Sequence, residues 1–98
     1  MAAPSPLPAD QIHAALAELP GWTYEDQALT KTYLLGDFTE AVSFMVRMAF
    51  HAEALNHHPE LANVYNRVSV TLKTHDAGDQ VTQLDVDLAR RIEGFAWV

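Results

Sequence analysis

Apolar residues recur along this chain at two spacings, and each change of spacing marks a new element. Ile12, Leu16 and Leu19 fall on one face between Ala9 and Leu19, which predicts a first helix. Pro8 suits its first turn, where an amide proton would lack an intrahelical partner, and Pro20-Gly21 stops it. Trp22 and Tyr24 then alternate with polar neighbours. Leu29 to Leu35, with Thr32 and Tyr33, reads as a second strand across a Glu25-Asp26-Gln27 turn. The two runs predict an antiparallel hairpin.

Helical spacing returns at Asp37. Phe38, Ala41, Met45, Met48, Ala52 and Leu55 recur at steps of three and four, predicting a long amphipathic helix from Asp37 to about Asn56. Asp37 can cap it, with Glu40 placed for the reciprocal bond. Phe44 lies outside this stripe and widens it, as a face meeting a partner would require. Pro59 ends the pattern. From Val64 to Thr74, Val64, Val68, Val70 and Leu72 share one parity, while Arg67, Ser69, Thr71 and Lys73 share the other. That alternation predicts one strand, buried on one side. A turn at Asp76-Ala77-Gly78-Asp79 leads to a short strand near Gln80-Val81. Thr82 with Asp85 three residues on is a helix-start signature, and Leu84, Leu88, Ile92 and Phe95 form the last helix's apolar face.

The predicted order is α-β-β-α-β-β-α, an α+β fold in which three helices pack on one face of a four-stranded antiparallel sheet. A ferredoxin-like sandwich with an added leading helix is the alternative. At 98 residues there is room for one domain, taken as residues 9–98 behind a loose leader, residues 1–8. So small a core, with no cysteine to staple it, favours a homodimer or homotetramer.

Charge narrows the function classes. Thirteen acidic against six basic side chains give a net charge of −7, with Arg90-Arg91 the only adjacent basic pair. Direct nucleic-acid binding and attraction to an anionic membrane are therefore not expected. Met1 to Pro8 carries no lysine, arginine or long apolar core, unlike a signal peptide, and no run spans a bilayer, so a cytoplasmic location is expected.

Chemistry concentrates where helix gives way to strand. Glu53-Ala54-Leu55-Asn56-His57-His58-Pro59 and the later His75 hold three of the five histidines. Glu53 and His57 stand four apart, so the carboxylate can hold one ring nitrogen and leave the other free as base, acid or ligand. Imidazole is the side chain suited to moving protons near neutrality. The competing readings are ordinary surface histidines and a zinc site drawn from Glu53, His57, His58 and His75. Adjacent rings do not readily converge on one ion, and no His-x-x-x-His pair is present, so no metal is assigned. His13 reads as surface and His51 as solvent or interface. Asp85 reads first as a cap, and Tyr65 as packing or as a wall of the site.

Glu53-x-x-x-His57-His58-Pro59, the aromatic Tyr65, His75 after nine intervening residues and the later Asp85 together resemble the pterin-4a-carbinolamine dehydratases. Gly21-Trp22, Asp37-Phe38, Asn63-Val64-Tyr65-Asn66 and Asp85-Val86-Asp87-Leu88-Ala89 extend the likeness from about Leu7 to Phe95. The resemblance implies dehydration of 4a-hydroxytetrahydrobiopterin, or a related 4a-hydroxytetrahydropterin, to the quinonoid dihydropterin. An aromatic amino acid hydroxylase would be the functional partner that supplies the substrate. It implies no cofactor, since no hydride moves and no oxygen or metal needs activation. By the same resemblance His57 and His75 carry most of the acid–base work, His58 is a third catalytic residue that binds and orients substrate and assists the leaving hydroxyl, and Glu53 orients His57. Pro59 sets the backbone direction, and Tyr65 and Asp85 border the site.

Animal relatives of this fold also serve as dimerisation partners of a homeodomain transcription factor. A helix-mediated protein-binding module acting as a transcriptional cofactor is thus the alternative function. Three positions depart from the family pattern. Leu61 stands where many members have tryptophan, Leu84 where the animal enzymes have arginine, and the turn between Asp76 and Gln80 is one residue longer.

Overall fold

The computed structural model describes residues 4–97. In chain order the elements are α1 (Ala9–Leu16), β1 (Thr23–Glu25), β2 (Ala28–Leu34), α2 (Phe38–Leu55), β3 (Glu60–Val64), β4 (Arg67–Leu72), a single 3₁₀ turn (His75–Ala77) and α3 (Gln83–Phe95). The four strands form one antiparallel sheet in the order β1-β2-β4-β3, and the three helices pack on one of its faces, as the spacing predicts.

The first hairpin turns at Asp26 and Gln27, both in the left-handed region (φ 50° and 62°), the geometry that a two-residue connection between twisted strands requires. β2 pairs along its whole length with β4, setting Leu29 opposite Leu72 and Tyr33 opposite Val68. These residues point into the core, whereas Thr32 and Ser69 bond to each other on the other face.

The second pair of strands differs from its prediction. The run Val64 to Thr74 is not one strand but the end of β3, a turn at Tyr65–Asn66, and β4. Tyr65 takes the left-handed conformation at φ 51°, and Val64 faces Arg67 across the turn. Asn66, which breaks the apolar parity, fastens the turn by donating from its side chain to Leu35 O at 3.0 Å. No strand forms near Gln80-Val81; Gln80 makes only an isolated bridge with Thr74.

The long helix also corrects two expectations. Phe44 is not at a partner-facing margin but at the centre of the core, fully buried with Ala41, Met48 and Ala52. Its ring lies 4.8 Å from Tyr33 and 5.5 Å from Phe95, and tilted ring contacts of this kind add to simple burial. The helix is rotated so that Phe38, Val42, Val46 and Phe50, spaced four apart, form an exposed apolar stripe. Asp37 caps as expected, its carboxylate accepting from Glu40 N at 2.8 Å, but Glu40 reaches past the cap to Gly36 N at 2.7 Å.

Within the leader, Leu7 is tied to the fold. Leu7 N donates to Val81 O at 2.9 Å and the Leu7 side chain packs against the core, while Met1 to Ala3 lie outside the described residues. No helix among the described residues is long and apolar enough to cross a membrane.

Candidate active site

The end of α2 decides where the histidines go. The helix stops at Leu55 because Asn56 turns left-handed (φ 49°, ψ 44°), a conformation asparagine adopts more readily than most residues. Asn56 N donates to Glu53 O at 3.1 Å and His57 N to Ala52 O at 2.9 Å, the paired bonds of a Schellman ending. His57 is therefore off the helix, and the Glu53–His57 pairing expected from a spacing of four does not form. The reversal turns His57 inward and leaves His58 on the surface beside Glu53.

Inside, His57 Nε2 lies 2.5 Å from Asp85 Oδ1, in a pair almost wholly closed to solvent (side chains 8% and 0% exposed). The same carboxylate closes the capping box of α3: Asp85 Oδ2 accepts from Thr82 N at 2.9 Å, and Thr82 Oγ1 accepts from Leu84 N at 3.2 Å. Thr74 adds a third donor to Asp85, at 2.8 Å from Oδ2. Cap and histidine partner are thus one residue, which places the start of α3 against His57.

The other two imidazoles sit on the rim. His58 Nε2 meets Glu53 Oε2 at 2.6 Å, and His75 Nδ1 is paired with Asp79 Oδ1, four residues on across the 3₁₀ turn. Both pairs are solvent-exposed, so each orients its ring only weakly. Each of the three histidines therefore has one ring nitrogen on its own carboxylate and the other without a hydrogen-bond partner among the described residues. Trp22 Nε1 is the only fully buried side-chain nitrogen or oxygen without a partner among the described residues, so the unpaired nitrogen of His57 is not sealed from solvent.

His57, His58 and His75 line one open hollow of about 340 Å³, together with Pro59, Lys73 and Leu84. That volume is at the lower end for small-molecule sites. β4 delivers His75 to the place where α2 ends, so a strand-length separation in sequence closes in space. Leu84, at the arginine position of the animal enzymes, gives the rim an apolar patch. Lys73, from just beyond β4, supplies a cation whose nearest carboxylate, Glu60, is 3.9 Å away.

Two positions lie elsewhere. Tyr65 is at the tip of the β3–β4 hairpin, 64% exposed, and does not line the hollow; neither does Leu61. Among the described residues, no group of three or more His, Cys, Asp or Glu is gathered as a metal ion would need.

Several residues of this arrangement escape the sequence reading. Asp79 carries a usable signal, the His75-x-x-x-Asp79 spacing, and Thr82 reads in the sequence only as a cap. Lys73 carries none, being one more residue of the strand's polar parity, whereas Thr74 stands on the parity of Val68, Val70 and Leu72, polar where a buried residue is due.

Comparison with known proteins bears on the family and the fold. Residues 5–95 match the family described as Pterin 4 alpha carbinolamine dehydratase. A relative from Opitutus terrae, named as a candidate pterin-4-alpha-carbinolamine dehydratase, is 61% identical over 95 residues, covering 97% of this chain and 98% of its own. One from Rhodopseudomonas palustris with the same name is 51% identical, covering 86% of this chain and 84% of its own. The crystal structure of a protein from Brucella melitensis described as a transcriptional coactivator/pterin dehydratase superposes with a TM-score of 0.87 at 41% identity, covering 92% of this chain and 97% of that one. The chain belongs to the pterin-4a-carbinolamine dehydratase family.

Proposed function

We propose that the protein is a hydro-lyase that dehydrates a 4a-hydroxytetrahydropterin, such as 4a-hydroxytetrahydrobiopterin, to the quinonoid dihydropterin and water. The observation that carries this reading is the convergence of His57, His58 and His75 on one open hollow, each with one free ring nitrogen. The reaction breaks the C4a–O bond while the adjacent ring nitrogen forms a C=N bond and loses its proton. One group must protonate the departing hydroxyl and another must accept the ring proton, so the pair exchanges roles without net change. His57 and His75 are assigned these two transfers. His58, on the rim, binds and orients the bicyclic ring, and Pro59 holds the chain at its edge. Tetrahydropterin recycling after aromatic amino acid hydroxylation is the physiological setting, with the hydroxylase as functional partner.

The test is dehydration of synthetic 4a-hydroxytetrahydropterin, followed by formation of the quinonoid product. His57→Ala and His75→Ala are each expected to lower kcat by about 10² to 10⁴, the usual weight of a general acid or base, while His13→Ala stays near wild type. Equal rates in all three variants would remove the assignment.

A second reading, helix-mediated association, is favoured by the exposed stripe of Phe38, Val42, Val46 and Phe50. It supports assembly into a homodimer or homotetramer, or docking of another helical protein as a transcriptional cofactor. Phe44 and Met48 cannot serve there, being inside the core. Val46→Lys should lower the mass in sedimentation if copies associate through this face; an unchanged mass rejects that.

A further inference from the structure

Three hydroxyl- and carboxyl-bearing side chains behind His57 form a chain of hydrogen bonds whose direction is fixed by counting donors. Asp85, as a carboxylate, only accepts. Thr74 has one hydroxyl proton, and it goes to Asp85 Oδ2 at 2.8 Å. The 2.7 Å contact between Thr74 Oγ1 and Thr82 Oγ1 must then be Thr82 donating to Thr74. Thr82 Oγ1 in turn accepts from Leu84 N. The sequence is Leu84 N–H to Thr82, Thr82 to Thr74, Thr74 to Asp85, with His57 Nε2–H meeting Asp85 from the opposite side. Thr74, Thr82 and Asp85 are all buried, so water does not substitute for a missing member.

Thr74 also frames the third histidine. Its N–H donates to Gln80 O at 2.9 Å, and its carbonyl accepts from Ala77 N and Asp79 N, each at 3.1 Å. These bonds close the turn that carries both His75 and its partner Asp79. One residue thus holds the carboxylate behind His57 through its side chain and the loop of His75 through its backbone.

From this we infer that Thr74 is a positioning residue: its hydroxyl holds Asp85 so that His57 carries its proton on Nε2 and presents Nδ1 to substrate, in register with the turn bearing His75. The inference rests on the dehydratase reading for its kinetic consequence, but not for its structural one. Its geometry assigns Nδ1, not Nε2, as the reacting atom of His57.

The test compares wild type, Thr74→Val, which keeps shape and loses the hydroxyl, and Thr74→Ser, which keeps the hydroxyl. In substrate-free, ¹⁵N-histidine-labelled wild type, neutral His57 should be the Nε2–H tautomer with a downfield Nε2 proton. T74V should weaken or lose that proton signal and lower kcat by about 10- to 100-fold, the weight of one hydrogen bond to a charged group, with KM nearly unchanged. T74S should restore both. A role confined to stability would lower the melting temperature and leave the His57 signals where they were. If T74V does not fold, Thr74→Ala removes the hydroxyl with less crowding and is read the same way. Wild-type His57 protonated on Nδ1, or a folded T74V with wild-type kcat and His57 spectrum, overturns the inference. A wild type that holds the Nε2–H tautomer yet dehydrates no pterin sinks the dehydratase reading alone.

Discussion

Glu93→Gln tests the joint that fastens α3 to the sheet. Glu93 Oε2 accepts from Lys31 Nζ at 2.9 Å and from the Tyr33 hydroxyl, and Lys31 also donates to Pro20 O at 2.6 Å. Burial alone would raise the Glu93 carboxyl, but the bonds from Tyr33 and Lys31 and the lysine charge outweigh it and hold the group below its ordinary 4.5. Burial, reinforced by Glu93, pushes the Tyr33 phenol far above its ordinary 10, so it remains a donor throughout the working range. Glutamine's carbonyl oxygen can still accept from both donors, but as a neutral group, and the charge is lost. Charge-assisted bonds contribute roughly 1.5–3 kcal/mol and neutral ones about 0.5–1.5, so the substitution should cost about 1–2 kcal/mol. In a domain of this size each kcal/mol shifts the melting temperature by roughly 4–8 °C.

The pH dependence follows from the direction of the shift. A carboxyl lowered on folding contributes stability that is full above its unfolded value, near 4.5, and is lost as pH falls through the still lower folded value. Urea denaturation of both proteins in steps from about pH 7 to about pH 3 should therefore show a gap that is full near neutrality and closes below 4.5. A gap that stays constant across the range, or none at neutral pH, would refute the argument.

Asp85→Asn offers one oxygen where three donors converge, and the amide satisfies most of them by turning its NH₂ toward His57. The proton of His57 then moves to Nδ1, and kcat should fall by about 10² to 10⁴, with the tautomer change visible in the ¹⁵N spectrum. A D85N protein of near wild-type rate would break the link between that carboxylate and His57. Phe44→Ala should cost about 3–5 kcal/mol in chemical denaturation, as expected at the centre of a small core; a loss under about 1 kcal/mol would deny it that position. Lys73→Ala should raise KM by about 10-fold with kcat nearly unchanged if its ammonium meets the polar edge of the ring. An unaltered KM means that the ammonium serves Glu60 alone.

Much of the fold is legible in the pattern of side chains because α2, α3 and the first hairpin bury residues at the period of their own backbone. The failure at Tyr65–Asn66 has a specific cause. Val64 and Val68 keep the same parity across the turn, so alternation continues in sequence while the chain reverses in space. The turn also lacks glycine, and an aromatic residue takes the left-handed position. Asn66 was the available clue, being polar where a buried residue was due. The spacing of α2 permits two overlapping stripes, and only packing against Tyr33 and Phe95 decides that the one holding Phe44 faces inward.

At the site, the histidines were legible and their partners were not. A spacing of four assumes that the helix continues, and Asn56 ends it one residue too early for Glu53 to reach His57. Asp85 was visible as a cap from Thr82, but a local spacing cannot reveal what arrives from 28 residues away. Thr74 matters only through such distant contacts.

The unequal shielding of the three carboxylate–imidazole pairs has a consequence for how the surroundings reach the chemistry. Dissolved ions screen charges that face solvent and scarcely touch those inside, so added electrolyte loosens Glu53–His58 and Asp79–His75 while Asp85–His57 keeps its hold. In brine the rim of the hollow slackens first, and the imidazole at its floor is the last to notice.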